Sequence, residues 1–376
     1  MIKQEPYKYL SESHAVLYLK AAAIMLMVFH HLFAFGSFVI ASNSWVSIIG
    51  YKKAETTIAI FCKICVGIFA FITGWFASSH HYNYDFSYRI YKIGRLLKKY
   101  WLYCFGFVLI GFLVSEPLPS LSQFSFNLIG LGTKVFNYNT VGGYINVCHA
   151  WYVFFYLLTM LITCPLLNKM RNIQTKGKII VFCIIMGGLH IVMKILQDFY
   201  VLRYPVSIII AGLDDYAKYS PIVAVGYWLK EYDYDLFNKR YFKHYGVLGI
   251  LIFLLQVKIP FMFGINAEVI YVPVFVSCVL SFLDDLLKVL DNHQVKKGKI
   301  IYSLTQLGKK STDIWFLHSI FFTPLRKLQW LAYFPRISVL IWLWTVFLCC
   351  AIIGIFNYIR TALFANHSKH YDSKIQ

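Results

Sequence analysis

The first apolar run of the chain holds one cation and two imidazoles in a setting that ordinarily tolerates neither: Lys20, His30 and His31. On a helix of about 100° and about 1.5 Å per residue, the steps from Lys20 to His31 make three turns plus roughly 20° and climb roughly 16 Å, so the two side chains share a face. His30 points about 80° away from Lys20 by the same arithmetic. Lys20 is expected near one water interface, where its stem can snorkel. His31 falls at or past the bilayer midplane, where an ionisable group must face protein or a wet cavity. An imidazole titrating near neutrality suits removal of a hydroxyl proton, whereas a conducting path calls for a chain of carboxylates.

The other titratable groups in apolar runs are His149 at the outer edge of a fourth span, His190, Asp284 and Asp285 near the inner end of an eighth, and Asp313 and His318 in a ninth. A lone histidine in a span is more often an interhelical hydrogen bond than a catalyst, and His190 is read that way. Asp284 and Asp285 suit the interface beside Lys288, and Asp313, like Ser311 or Thr312, suits capping of the ninth helix. Cys62 and Cys65 form a C-x-x-C without a second pair or a helix-opening loop, so buried structural cysteine is the reading and no metal site is assigned. No P-loop, G-x-S-x-G or H-E-x-x-H occurs.

The elements that must hold these groups follow from composition. The 376 residues are 59% hydrophobic and 14% charged, with a mean hydropathy of +0.60. That excludes an ordinary soluble domain. Apolar runs of spanning length recur at about 14–41, 57–78, 98–115, 147–167, 178–197, 205–229, 244–258, 268–288, 311–326 and 337–360. The fold class expected is an all-α polytopic integral membrane protein, with about ten transmembrane helices in one bundle. Its parts are a cytoplasmic leader (1–13), a transmembrane domain (14–362) and a short cytoplasmic tail (363–376), disordered over 366–376. The first run follows a polar leader without a small-residue cleavage site, so it is expected to stay as a signal anchor.

The net charge of +19 has its meaning in its distribution. There is no zinc-finger spacing and no continuous basic arm, which excludes nucleic acid as a partner. More than two thirds of the 36 lysines and arginines fall between spans on the side of the N-terminus. The positive-inside rule then puts both termini in the cytoplasm of a multi-pass cell-membrane protein. The connection 116–146, rich in Ser, Asn, Gly and Tyr, is read as external, suited to a carbohydrate or lid role or to a plain surface connection. Residues 88–101 form a basic amphipathic stretch leading into the third span. It serves either as positive-inside anchoring or as a platform for phosphates.

At this point the residues resemble a family, the bacterial membrane acyltransferase-3 proteins. Lys20 and His31 fit the family's basic residue, ten intervening residues and histidine, with Lys where Arg is usual. Gly67-Ile68-Phe69-Ala70-Phe71-Ile72-Thr73-Gly74-Trp75-Phe76 resembles its aromatic stretch ending in Ser-Gly, and Lys92-Ile93-Gly94-Arg95 its R-x-x-R motif. His149-Ala150-Trp151-Tyr152 looks like its Trp-containing entry to the fourth span, and Ile314-Trp315-Phe316-Leu317-His318 like its Tyr-Leu-x-His segment.

The resemblance implies a membrane-bound O-acyltransferase, foremost an O-acetyltransferase. It would move an acyl group from cytosolic acetyl-CoA or another acyl-CoA to a hydroxyl of a cell-surface polysaccharide or lipid-linked oligosaccharide. No cofactor is expected to be tightly bound. Lys20, Lys92, Arg95 and Lys98 would hold the phosphates of the donor, His31 would be the general base, and His318 would orient the acceptor or donate to the developing oxyanion. His149 and Trp151 would meet the acceptor. Besides the lipid bilayer, a second copy or a polysaccharide-assembly protein stands open as a partner. The rival reading is a multispanning transporter or flippase for an envelope glycan intermediate, in which Lys20, His31 and His318 line the path.

Overall fold

The computed structural model describes residues 12–35, 45–79, 85–115, 118–132, 150–171, 176–199, 205–231, 261–262, 265–266, 268–292, 297–321 and 326–372. In chain order the helices are α1 (Glu12–Phe33), α2 (Lys52–Phe61), α3 (Ile64–Ser79), α4 (Phe86–Leu113), α5 (Leu121–Leu128), α6 (Trp151–Met170), α7 (Lys176–Phe199) and α8 (Val206–Glu231). A two-residue antiparallel ladder follows, β1 (Phe261–Met262) with β2 (Ile265–Asn266). Then come α9 (Glu268–Asn292), α10 (Lys297–Leu317), a 3-10 turn (His318–Phe321), α11 (Arg326–Tyr333) and α12 (Ser338–Asp372).

This is a helical polytopic membrane protein. Among the described residues seven helices are long and apolar enough to cross a membrane. The expected ten are not reached on that criterion. α8 spans 26 residues but carries Asp214, Asp215 and Lys218, and α10 spans 21 but carries Lys297, Lys299, Lys309, Lys310 and Asp313. The stretch at 244–258 lies outside the described residues.

α1 sits at the centre, packed on α10, α3 and α2. Its alanines at 15, 21 and 23 and its Ile24, Val28 and Leu32 are almost wholly buried, and the small residues let neighbours come close. Aromatic polar tips from the C-terminal helices end on its backbone: Trp342 Nε1 donates to Met25 O at 2.8 Å and Tyr333 OH to Leu32 O at 2.7 Å. Closer still are the glycine crossings. A methyl group at Gly74 in α3 would collide with Val223 O in α8, one at Gly226 with Phe71 O, and one at Gly308 in α10 with Leu17 O in α1. In these two pairs backbone lies against backbone.

Several boundaries differ from the sequence reading, each for a local reason. The second span is broken: α2 ends at Phe61, and short bonds from Cys65 N to Cys62 O (3.1 Å) and Val66 N to Lys63 O (3.0 Å) tighten the chain before α3. The third begins at Phe86, where the Asp85 side chain caps it by accepting from Tyr88 N at 2.7 Å, so the basic stretch is the first half of one 28-residue helix. The ninth begins at Lys297, which leaves Asp313, Ser311 and Thr312 inside α10 rather than at its cap. Part of the expected outer connection folds back along α4 as α5, started by a Ser120–Gln123 capping box. There Phe124 meets Phe105 edge-on, and Tyr100 OH and Trp101 Nε1 donate to Asn127 O and Leu128 O. The tail expected to be disordered continues α12 as helix to Asp372. In α6 a π turn over Thr159–Thr163 precedes Pro165, which has no N–H to give.

Candidate active site

Lys20, Met27 and His31 rise along one face of α1, and two cavities open on that face. The first, of about 330 Å³, is lined by Lys20, Lys92 of α4, Phe76, Tyr88, Ser311 and Thr312 among others. The second, of about 400 Å³, is lined by His30, His31, Phe35, Lys63 and Trp151 among others. Met27, Tyr152 and Trp315 line both, so these three side chains form the partition between a cationic chamber and a histidine chamber.

His31, on the wall of the second chamber, is half of a coupled pair. His31 Nδ1 lies 2.7 Å from His318 Nε2, and His318 Nδ1 lies 2.9 Å from Ile314 O. A carbonyl oxygen only accepts, so His318 carries its proton on Nδ1 and leaves Nε2 as the acceptor. His31 must then donate from Nδ1, which makes its Nε2 the basic nitrogen. The 3-10 tightening at His318 turns this ring onto α1; His318 is 0% exposed and His31 9%. Both ring nitrogens of His318 are engaged within the protein. To orient an acceptor or meet an oxyanion, as the sequence suggests, His318 would have to give up one of these two contacts.

His30, which the helix arithmetic turned away, also borders the chamber, because the cavity wraps the end of α1. Its Nδ1 donates to Ala59 O at 2.7 Å, across to α2. Trp151 reaches the chamber and packs on Tyr219 with centroids 5.3 Å apart, while His149 lies outside the described residues. Of the four residues expected to hold donor phosphates, Lys20 and Lys92 meet in the cationic chamber. The Lys20 ammonium lies 5.6 Å from the Phe76 ring centre and that of Lys92 5.1 Å from Tyr88. Arg95 and Lys98 are exposed on α4, Arg95 over Tyr91, and do not border the cavity. Lys99 is engaged elsewhere, in a 2.8 Å ion pair with Asp313 that Tyr103 OH joins at 3.1 Å.

Some residues of the site had no sequence signal. Lys63 borders the histidine chamber because the break after Cys62 turns it there; within an unbroken span it reads as a flanking charge. Behind it Lys218 shares the field of Lys63, Glu268, Asp215 and Asp214, with Glu268 only 3% exposed. His190 is held by Asp214 at 2.5 Å, an interhelical contact between α7 and α8. A carboxylate followed by Lys at i+4 in an apolar helix was the available hint of the α8 cluster.

A basic nitrogen fixed beside one chamber and joined through a thin partition to a cationic one is suited to group transfer between an anionic donor and a hydroxyl. No curated protein and no solved structure matches the chain significantly. The family model described as an acyltransferase domain matches residues 14–359, nearly the whole chain, and on that match the protein belongs to the acyltransferase-3 family and is a membrane acyltransferase.

Proposed function

We propose that this acyltransferase takes its acyl group from acyl-CoA, foremost acetyl-CoA, on the cytoplasmic side and delivers it to a hydroxyl of an envelope polysaccharide or lipid-linked oligosaccharide. The single observation that carries the reading is the 2.7 Å His31–His318 contact in a chamber walled off from two lysines by three side chains. In this reading Lys20 and Lys92 bind donor phosphates, and the excess of Lys and Arg on the N-terminal side supports placing that mouth in the cytoplasm. The pantetheine arm runs up the α1 face past Met27 and brings the thioester to His31.

The acceptor hydroxyl gives its proton to His31 Nε2 as its oxygen attacks the thioester carbonyl. His318 accepts from the Nδ1–H throughout and so stabilises the imidazolium that forms. Collapse of the tetrahedral intermediate breaks the C–S bond, and Nε2–H returns the proton to the leaving thiolate. The apolar flanks of Met27 and Trp315 beside the thioester leave little room for water there, which limits its hydrolysis. Trp151, on Tyr219, offers an aromatic face to a sugar ring at the other end of the chamber.

The test is the mass of surface polysaccharide from cells that carry the chain, cells that lack it, and cells with His31→Gln. Acyl groups present in the first and absent from the other two are the expected result. An unchanged polysaccharide in all three, or full acylation with His31→Gln, overturns the reading. A flippase would move glycan without consuming coenzyme A thioester, so thiol release in proteoliposomes separates the two.

A further inference from the structure

Thioester transfer requires something the two histidines do not supply: a donor for the oxyanion that forms on the carbonyl. His31 is committed as base and His318 is closed off behind it. The partition holds a candidate. Tyr152 borders both chambers, and its hydroxyl oxygen is buried with no hydrogen-bond partner. Thr73 stands beside it without forming a hydrogen bond, its own proton given to Phe69 O at 2.8 Å. A buried phenol left unmatched is costly in a settled core, and such orphans call for an explanation.

The ring is not loose. Trp315 meets it edge-on (5.5 Å, 88°), Phe155 lies tilted at 4.9 Å, Trp151 at 6.0 Å and Phe69 at 6.3 Å. Four aromatic neighbours fix the ring, and with it the place of a hydroxyl oxygen whose partner is missing, which is the preorganisation an oxyanion donor needs. Its place between the lysine chamber and the histidine chamber is where a thioester held by its phosphates at one end must present its carbonyl to His31 at the other.

We infer that the Tyr152 hydroxyl is a catalytic hydrogen-bond donor to the carbonyl oxygen of the acyl thioester. The inference rests on the acyl-CoA reading above. As the acceptor oxygen adds and its proton passes to His31 Nε2, negative charge moves onto the carbonyl oxygen and the hydrogen bond it accepts from the Tyr152 O–H shortens, without transfer of that proton. When the C–S bond breaks the charge leaves with sulfur, which takes the proton back from His31. Tyr152 ends as it began.

The experiment uses the full chain in proteoliposomes, with acetyl-CoA as donor and polysaccharide from cells lacking the chain as acceptor, followed by thiol release and acetyl incorporation. Tyr152→Phe keeps the ring and its four contacts; kcat is expected to fall by about 10²–10³-fold, with KM for acetyl-CoA nearly unchanged. Placing 3-fluorotyrosine at 152, with a more acidic hydroxyl in almost the same volume, is expected to change kcat without changing coenzyme A binding. A Tyr152→Phe protein with wild-type kcat, or one that loses coenzyme A affinity in proportion to its rate, overturns the inference while leaving the acyl-CoA reading in place. Absence of thiol release from the unmodified protein overturns both.

Discussion

His31 and His30 are neighbours in sequence and border the same chamber, yet their Nδ1 partners differ in kind. His30 donates to a carbonyl, whereas His31 donates to a second imidazole that is itself pinned to Ile314 O. If His31 is the base, His31→Gln lowers kcat by about 10²–10⁴-fold, and His30→Gln costs much less because only a structural bond to α2 is lost. Transfer assays on the two purified variants check the contrast. His318→Gln is the informative third: it should reduce kcat while leaving KM for acetyl-CoA unchanged, since the cationic chamber lies beyond the partition. A matching rise in KM would make His318 a fold residue instead. The sequence separated Lys20 and His31 from the remaining polar groups through their spacing alone. It placed Tyr152 in the motif that opens the fourth span but gave its hydroxyl no role, because a tyrosine in an aromatic-rich span looks like any interfacial ring until the partner of its hydroxyl is sought.

Element boundaries were the least legible feature, and charge explains most of it. An uncharged window finds the apolar half of a helix and stops, so α4 and α10 were read short at their basic ends, while the real ends lie at a capping Asp85 and at Lys297. The α2–α3 break is invisible to hydropathy because Cys62 and Lys63 sit in a run whose average stays high. Propensity cannot foresee the crossings at Gly74, Gly226 and Gly308, which depend on which helices meet. There a single methyl must displace backbone, so Gly74→Ala and Gly308→Ala are expected to lower the thermal transition of the detergent-solubilised protein. Gly354, beside which a methyl group meets no atom within 4 Å, supplies the control: Gly354→Ala should leave it unchanged or raise it slightly.

For the molecule as a whole, composition was enough for the class, a helical membrane protein, and five spaced motifs were enough for the acyltransferase family that the match over residues 14–359 shows. The cationic chamber was not legible, because Lys20 comes from α1 and Lys92 from α4 and the two meet only through packing. Lys92→Ala, or Lys20→Ala with care for folding, should raise KM for acetyl-CoA by about 10-fold or more with little change in kcat, as expected for loss of a charge-assisted contact. Neutralising exposed Lys98 should do far less, and a titration with coenzyme A compares them directly. The glycine crossings return here as mechanics. One clamped pair, α1 with α10, carries Lys20, Met27, Trp315 and His31, with His318 close by; the other, α3 with α8, backs the opposite wall, where α6 presents Tyr152. Any parting of these two pairs would keep the two histidines together and separate them from the Tyr152 phenol. On the roles proposed for His31 and Tyr152, such an opened form would hold an acyl donor without transferring its group.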